Sequence, residues 1–270
     1  MMTTVDEVRR FYGSNVDFQW SRFDRFAPVE EYVLTKSLRE HLPPAPARVL
    51  DVGGGNGRHA LRLAALGYDV WLCDLTPELV ADAARRSAEA DAALGSIEVA
   101  DARALSWPDG HGGAGLLLGP MYCLPAREDR ARALSELHRV LRPGAPVFVQ
   151  FLTRLAGLRS ALEAAPSAAG LFDWRRFLDE GVFTDEHLPG FLRVHNFSSA
   201  AEAADEVSGA GFEIVDVREM DGPAPTFGQK NLGGAPDHVL EQWGEIAYLV
   251  GGRPEFAGAG NHLLVSARRS

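Results

Sequence analysis

Three acids stand at the ends of short apolar runs in the first half of this chain. Asp51 follows Arg48-Val49-Leu50, Asp74 follows Tyr68-Asp69-Val70-Trp71-Leu72-Cys73, and Asp101 follows Ile97-Glu98-Val99-Ala100. Directly after Asp51, the stretch Gly53-Gly54-Gly55-Asn56-Gly57 has four glycines in five positions. Glycines at such a turn permit φ > 0 and remove the Cβ atoms that keep a ligand from the backbone. Carboxylates beside a bare loop can accept hydrogen bonds from hydroxyls and amines. An acid roughly 20 residues beyond such a loop is placed to accept from ribose hydroxyls, and Asp74 is in that place. Thr76-Pro77 reads as an N-cap and N1 pair, leaving Asp74 for a ligand; Asp101 can accept from an exocyclic amine such as that of adenine.

The glycine spacing is G-x-G-x-G, not the G-x-G-x-x-G of the dinucleotide fingerprint, and Asn56-Gly57-Arg58-His59 lacks the Gly-Lys-Ser/Thr ending of a P-loop. A pyrophosphate ligand is therefore disfavoured. Tyr12, Tyr122 and His195 are the candidates for a general base or an orienting group, and His138, flanked by apolar residues in a helix, reads as structural. No His, Cys and Asp grouping has metal-ligand spacing, and there is no Gly-x-Ser-x-Gly elbow, so no metal is expected.

The elements that must position these groups alternate as strands and helices. A helix over Ala60 to Leu66 ends at Gly67; one over Pro77 to about Ala90 precedes the third strand; the apolar run Leu116-Leu117-Leu118-Gly119 reads as a buried parallel strand. A helix opened by Glu128 and Asp129 runs to Leu141, Pro146 to Phe151 forms a fifth strand, and a helix over Ser199 to Ser208 leads to a strand over Phe212 to Val217. Pro236 to Val250 reads as a helix and His262 to Ala267 as the last strand. Acids at the carboxyl ends of consecutive parallel strands share one crevice.

Two segments lie outside that rhythm. Val5 to Glu40 is rich in aromatics and predicts two or three short helices broken at Gly13-Ser14-Asn15, either covering a sheet edge or forming a lid; Pro43, Pro44 and Pro46 link them to the first strand. Leu152 to Phe197 reads as an inserted cap carrying Arg154, Arg159, Trp174, Arg175, Arg176, Phe183, His187, Phe191, Arg193 and His195, with its arginines placed to face an anionic group. The expected division is a helical lid over 1–46 and a main domain over 47–270 with the cap at about 152–197.

Composition narrows the class. The formal net charge of −10 over 270 residues opposes binding to a nucleic-acid backbone. Cys73 and Cys123 are too few for a disulfide framework, and no signal peptide or bilayer-length apolar run is present, so a reduced, cytoplasmic setting without membrane attachment is expected.

Asp51-Val52-Gly53-Gly54-Gly55-Asn56-Gly57, Asp74, Asp101, the Leu118-Gly119-Pro120 corner and Leu137-His138-Arg139-Val140-Leu141-Arg142-Pro143-Gly144 together resemble successive motifs of the class I S-adenosylmethionine-dependent methyltransferases, over about Arg48 to Phe151. The resemblance implies an α/β fold, a Rossmann-like seven-stranded mostly parallel sheet with helices on both faces and a reversed final strand. It also implies S-adenosylmethionine as cofactor, with Asp51, Gly53, Gly54, Gly55 and Gly57 under the methionine part, Asp74 and Leu75 at the ribose, Asp101 and Ala102 at the adenine, and Leu118 and Gly119 at the corner. Phe11-Tyr12-Gly13 and Thr35-Lys36 resemble a bacterial small-molecule subgroup in which this region closes over the cofactor, placing Tyr12 and Lys36 in the site.

The chain departs from the family in three places. Gly112-Gly113-Ala114-Gly115 replaces a common Phe-Asp, which predicts a loosely started fourth strand. Gly119-Pro120-Met121-Tyr122 is not the Asn/Asp-Pro-Pro-Tyr/Phe of base and amide methylation, and Cys123 stands where relatives often have His. The implied function is methyl transfer to an O, N or C nucleophile of a small metabolite, such as an intermediate of natural-product biosynthesis, by a monomer or homodimer. The alternatives are a nicotinamide-dependent oxidoreductase and a non-catalytic adenosyl-ligand-binding protein.

Overall fold

A computed structural model of the chain describes residues 4–164, 173–182, 195–223 and 232–270. Among the described residues, eight strands form one sheet: β1 (Arg48–Val52), β2 (Asp69–Asp74), β3 (Ser96–Val99), β4 (Ala114–Leu117), β5 (Pro146–Thr153), β6 (Phe197–Ser198), β7 (Phe212–Glu219) and β8 (His262–Arg269). Their order is β3-β2-β1-β4-β5-β8-β7, with the two-residue β6 pairing with β5. β1 to β5 run parallel, and β8 lies antiparallel between β5 and β7. The seven-stranded sheet with a reversed final strand is present, with β6 as an addition. The order turns back between β1 and β4, and a ligand crevice opens at such a switch point, outside the carboxyl ends of the strands.

Side-chain alternation along the central strands divides the core in two. Leu50, Val52, Val147, Val149 and Phe151 face one side with Leu134, Leu137 and Leu141. Val49, Ala114, Leu116 and Phe148 face the other with Val33, Leu34, Leu63 and Ala83. Strands buried on both faces read as continuous apolar runs for this reason. The glycines before β4 do not loosen it: a Cβ on Gly112 would lie 2.7 Å from Leu50 Cδ1, and one on Gly115 would lie 2.9 Å from Leu137 Cδ1. They let the helix α6 (Arg127–Val140) pack closely on the sheet.

Before the sheet come α1 (Thr4–Gly13), α2 (Val16–Phe26) and α3 (Pro28–His41), three helices with the expected break after Gly13. Proline at the start of α3 and acids in its first turn suit a helix N-terminus. Those acids, Glu30 and Glu31, are nevertheless buried. Glu31 accepts from Arg58 Nε at 3.2 Å and from Arg62, tying α3 to α4 (Arg58–Ala65). α5 (Pro77–Glu89) follows β2.

After β5 come α7 (Arg154–Ala164), α8 (Trp174–Glu180) and α9 (Ala200–Gly209), and α10 (Asp237–Gly251) precedes β8. A capping box of Ser199 and Glu202 fixes the start of α9. Phe183, His187, Phe191 and Arg193 of the expected cap lie outside the described residues. Arg154 is paired with Glu202 and Arg176 with Glu180; Arg159 donates to Asn261 Oδ1 at 3.0 Å, and Arg175 is exposed. None of these four lines the central cavity, which corrects the expectation that they face an anionic group there. Among the described residues, no helix is long and apolar enough to cross a membrane.

Candidate active site

A cavity lies at the carboxyl ends of β1, β2 and β4 and is roofed by α1 and α2. The space among its lining residues, open solvent at the mouth included, is about 1180 Å³.

The glycine loop forms one wall. Gly53 N and Gly54 N donate to Cys73 O at 2.8 and 3.1 Å, which ties the loop to β2. Gly53, Gly55 and Gly57 have φ of 76°, 58° and 83°, values that side-chain-bearing residues adopt only under strain. A Cβ on Gly53 would lie 2.5 Å from Pro120, and one on Gly54 would lie 2.6 Å from Asp51 Oδ2. Gly57 is the N-cap of α4; its missing Cβ faces Ala83 at 3.4 Å, and it is not among the residues lining the cavity.

The three acids meet at this cavity but in different states. Asp51 is 2% exposed, and its Oδ2 has no hydrogen-bond partner among the described residues. Burial, reinforced by the charge of Asp74, pushes its carboxyl up to about 7. Asp74 accepts from Gly55 N at 2.9 Å and Thr76 N at 2.8 Å. Burial pushes its carboxyl up, and those N–H groups oppose the shift. Thr76 is the N-cap of α5 and Pro77 lies in its first turn, as expected, with no side-chain cap bond; the expectation that this leaves Asp74 unengaged is corrected, because Asp74 braces the turn itself.

Asp101 lies just beyond β3, and its carboxylate is taken by Arg103, with Nη2 to Oδ2 at 2.6 Å and Nε to Oδ1 at 3.0 Å. Arg103 also reaches Asp129 at 2.9 Å. Asp101 thus stands on the cavity wall as half of an Asp101–Arg103 pair. Leu75, Ala102, Leu118, Gly119 and Tyr12 also line the cavity. Lys36 does not: its Nζ pairs with Glu245 at 2.6 Å on the α3–α10 surface, because α3 turns that face outward.

The candidate bases are recast as well. Tyr12 and Tyr122 line the cavity, and burial pushes both phenols up, so they stay protonated at neutral pH. Tyr122 Oη donates to Leu118 O at 3.2 Å, and Tyr12 Oη lies 3.6 Å from Cys123 Sγ. Burial pushes the Cys123 thiol up to about 12, so it too stays protonated. His195 packs edge-on against Tyr122 and Phe197, and it does not line the cavity. Burial pushes its imidazole down to about 4.

Sequence reading missed Arg22, His59 and Gln150, all on the cavity wall. His59 had a signal, since it follows the glycine loop directly. Burial, then the charges of Arg58 and Arg22, push it down to about 3, which leaves a neutral imidazole. Arg22 and Gln150 had none: a helix residue and a strand residue far apart in sequence share the cavity wall and the Glu30 carboxylate only once the chain has folded.

The donor set fits the cofactor that the resemblance implies. An orphaned buried carboxylate oxygen beside backbone cleared of Cβ atoms suits a cationic or hydrogen-donating group in close contact, as at the amino-acid end of S-adenosylmethionine. Residues 49–144 match the family model described as "Methyltransferase domain". Ubiquinone biosynthesis O-methyltransferase of Xanthomonas axonopodis pv. citri is 31% identical over 183 residues, covering 66% of this chain and 68% of that one. The chain belongs to the class I S-adenosylmethionine-dependent methyltransferases.

Glycine/sarcosine N-methyltransferase of Parasynechococcus marenigrum is 32% identical over 144 residues, which is 51% of this methyltransferase and 49% of the relative. The match thus spans about half the length of that relative. A solved S-adenosylmethionine-dependent methyltransferase of Methanosarcina mazei shares the fold at a TM-score of 0.57 and 19% identity, over 86% of this chain and 96% of that one. The cofactor of this methyltransferase is S-adenosylmethionine. When bound, it supplies a methyl group activated by a sulfonium.

Proposed function

We propose that this methyltransferase acts on a small metabolite whose nucleophile is an amine or an oxygen acidic enough to ionise without help. The observation that carries this reading is the protonation of the cavity. Tyr12, Tyr122 and Cys123 hold their protons at neutral pH, and His59 is too weakly basic to take one. The raised carboxyls of the cavity, Asp51 and Asp74, lie against the glycine loop. Catalysis then rests on alignment and exclusion of water, worth roughly 7–11 kcal/mol where geometry is good. α1 and α2 over the strand tips supply that enclosure, and the Tyr12 and Tyr122 hydroxyls can orient an acceptor by donating or accepting hydrogen bonds.

Asp51, Gly53 and Gly54 would hold the methionine part of the cofactor, Asp74 the ribose, and the Ala102–Arg103 side the adenine. The size of the cavity and the chain's net charge of −10 both favour a small acceptor over a nucleic acid. Calorimetry with S-adenosylhomocysteine, followed by methyl-labelled S-adenosylmethionine offered with small amines, phenols and hydroxy acids, tests the reading. Cofactor binding with product from at least one such acceptor is expected. Absence of cofactor binding, or product from tRNA alone, overturns it.

A further inference from the structure

The arginines on the cavity wall differ in how completely they are paired. Arg58 donates to Asp24 at 2.9 and 2.6 Å, to Glu31 at 3.2 Å and to Trp20 O at 2.9 Å. Arg103 is shared between Asp101 and Asp129. Arg22 has a single long contact among the described residues, Nη2 to Glu30 Oε1 at 3.5 Å, and its guanidinium lies 4.3 Å from the Phe23 ring centroid. A guanidinium carries five N–H donors in a fixed fork. Among the described residues most of Arg22's have no partner, and Arg22 lines the cavity.

Glu30 does not neutralise Arg22 by itself, because its carboxylate is divided. Oε1 also accepts from Gln150 Nε2 at 2.9 Å, and Oε2 lies 3.4 Å from His262 Nδ1. His262 is in turn 3.6 Å from Asp221 Oδ2, which already accepts the backbone N–H groups of Asn261 and His262 at 2.7 and 2.8 Å. Burial alone would lower His262, but Glu30 and Asp221 outweigh it and hold the imidazole up, so it shares their negative charge. Glu30, Asp221 and His262 lie close enough to be read as metal ligands. With Asp221 Oδ2 saturated by N–H donors and a guanidinium on Glu30, the cluster is better explained as the foundation under Arg22.

That foundation stands on β5 through Gln150 and on the start of β8 through His262. The cofactor acids stand at or just beyond the tips of β1, β2 and β3. Neighbouring strands are about 4.8 Å apart, so β5 lies two strands, about 10 Å, from β1. Arg22 thus faces the acceptor end of the cavity, beside Tyr12 and Tyr122, both of which act on it electrostatically. A planar, weakly hydrated fork on an apolar wall matches a carboxylate in two-point contact.

We propose that Arg22 recognises a carboxylate on the methyl acceptor, so that the acceptor is a small organic acid. This rests on the methyltransferase reading above and names its substrate class. Arg22 is a specificity-determining residue.

The test uses the full chain saturated with S-adenosylhomocysteine, titrated with matched pairs of small acids and their amides: amino acids, hydroxybenzoates and arylpropionates. At least one acid should bind the wild type about tenfold or more tighter than its amide. Arg22→Gln should erase that preference, and Arg22→Lys should keep part of it. Wild-type discrimination needs no variant to fold, and circular dichroism checks the variants.

S-adenosylhomocysteine and 5′-methylthioadenosine, which lacks the amino-acid end, should bind Arg22→Gln within about twofold of wild type. Selective loss of S-adenosylhomocysteine binding in Arg22→Gln would assign Arg22 to the cofactor's own carboxylate and overturn the proposal. So would a wild type that binds no acid in preference to its amide, or a preference that survives Arg22→Gln. Failure of the wild type to bind S-adenosylhomocysteine at all would instead sink the underlying methyltransferase reading.

Discussion

The two ends of the cavity are built differently. At the tips of β1 and β2 the site is mostly backbone: a loop held by two bonds to Cys73 O, glycines where a Cβ would collide, and one carboxylate braced by Gly55 and Thr76. Toward β5 and β8 it is built of side chains: Arg22 of α2 and Gln150 of β5 line the cavity, and Glu30 of α3 and His262 of β8 lie behind them. The contrast fits a division between a ligand common to a family, held by backbone that tolerates little change, and an acceptor read by replaceable side chains. It also predicts that the two ends fail differently when altered.

The largest effect should come from Gly54→Val. Its side chain would enter the space of Asp51 Oδ2 and Leu72, and affinity for S-adenosylhomocysteine should fall by at least about a hundredfold, ~2.7 kcal/mol, in calorimetry. Near-normal affinity would show that the ligand does not sit against this loop.

Glu30→Ala should strike the other end and act on folding first. It leaves His262 and Arg22 without their shared carboxylate, and removing one member of a buried ion network costs roughly 3–5 kcal/mol. Urea denaturation measures this; a loss under about 1 kcal/mol would mean that the acceptor end is not held by its charges.

Asp51→Asn separates the ends by pH. The Asp51 carboxyl is raised from 3.8 to about 7. The unfolded chain therefore gives up this proton at a lower pH than the folded one, and stability without ligand falls as pH rises from about 4 to about 7. Three pKa units set an upper bound of about 4 kcal/mol on that fall. Asp51→Asn should flatten this part of the profile, raise stability at pH 8 and weaken cofactor binding. An unchanged profile would show that Asp51 is not held protonated by burial.

The smallest effect should be that of Lys36→Ala. Its pair with Glu245 is partly exposed, and stability should change by no more than about 0.5 kcal/mol, with cofactor affinity within about twofold. A larger loss of affinity would return Lys36 to the site.

Legibility followed the same divide. β1, its glycine loop and the acid ending β2 could be read because their signals are local: an apolar run, missing Cβ atoms and an acid at a fixed interval. The break between α1 and α2 was readable at Gly13-Ser14-Asn15 for the same reason. The reading misjudged what the acids touch. Asp101 is occupied by Arg103 two residues on, and Asp74 by the backbone of its own turn; both depend on rotamers that spacing does not set. The glycines before β4 suggested looseness because Leu50, Leu137 and Leu141, which press against them, are distant in sequence.

By itself, the sequence determined the alternation of strands and helices and the position of the glycine loop, because these follow from backbone freedom and periodicity over a few residues. Only the tertiary structure decided that Lys36 faces outward, that His195 packs against Tyr122, and that Arg22 shares Glu30 with Gln150 of β5. The bond between Glu30 and Gln150 joins residues 120 positions apart. Such a contact exists only after the sheet has ordered its strands and α3 has packed across them, and no local pattern records it.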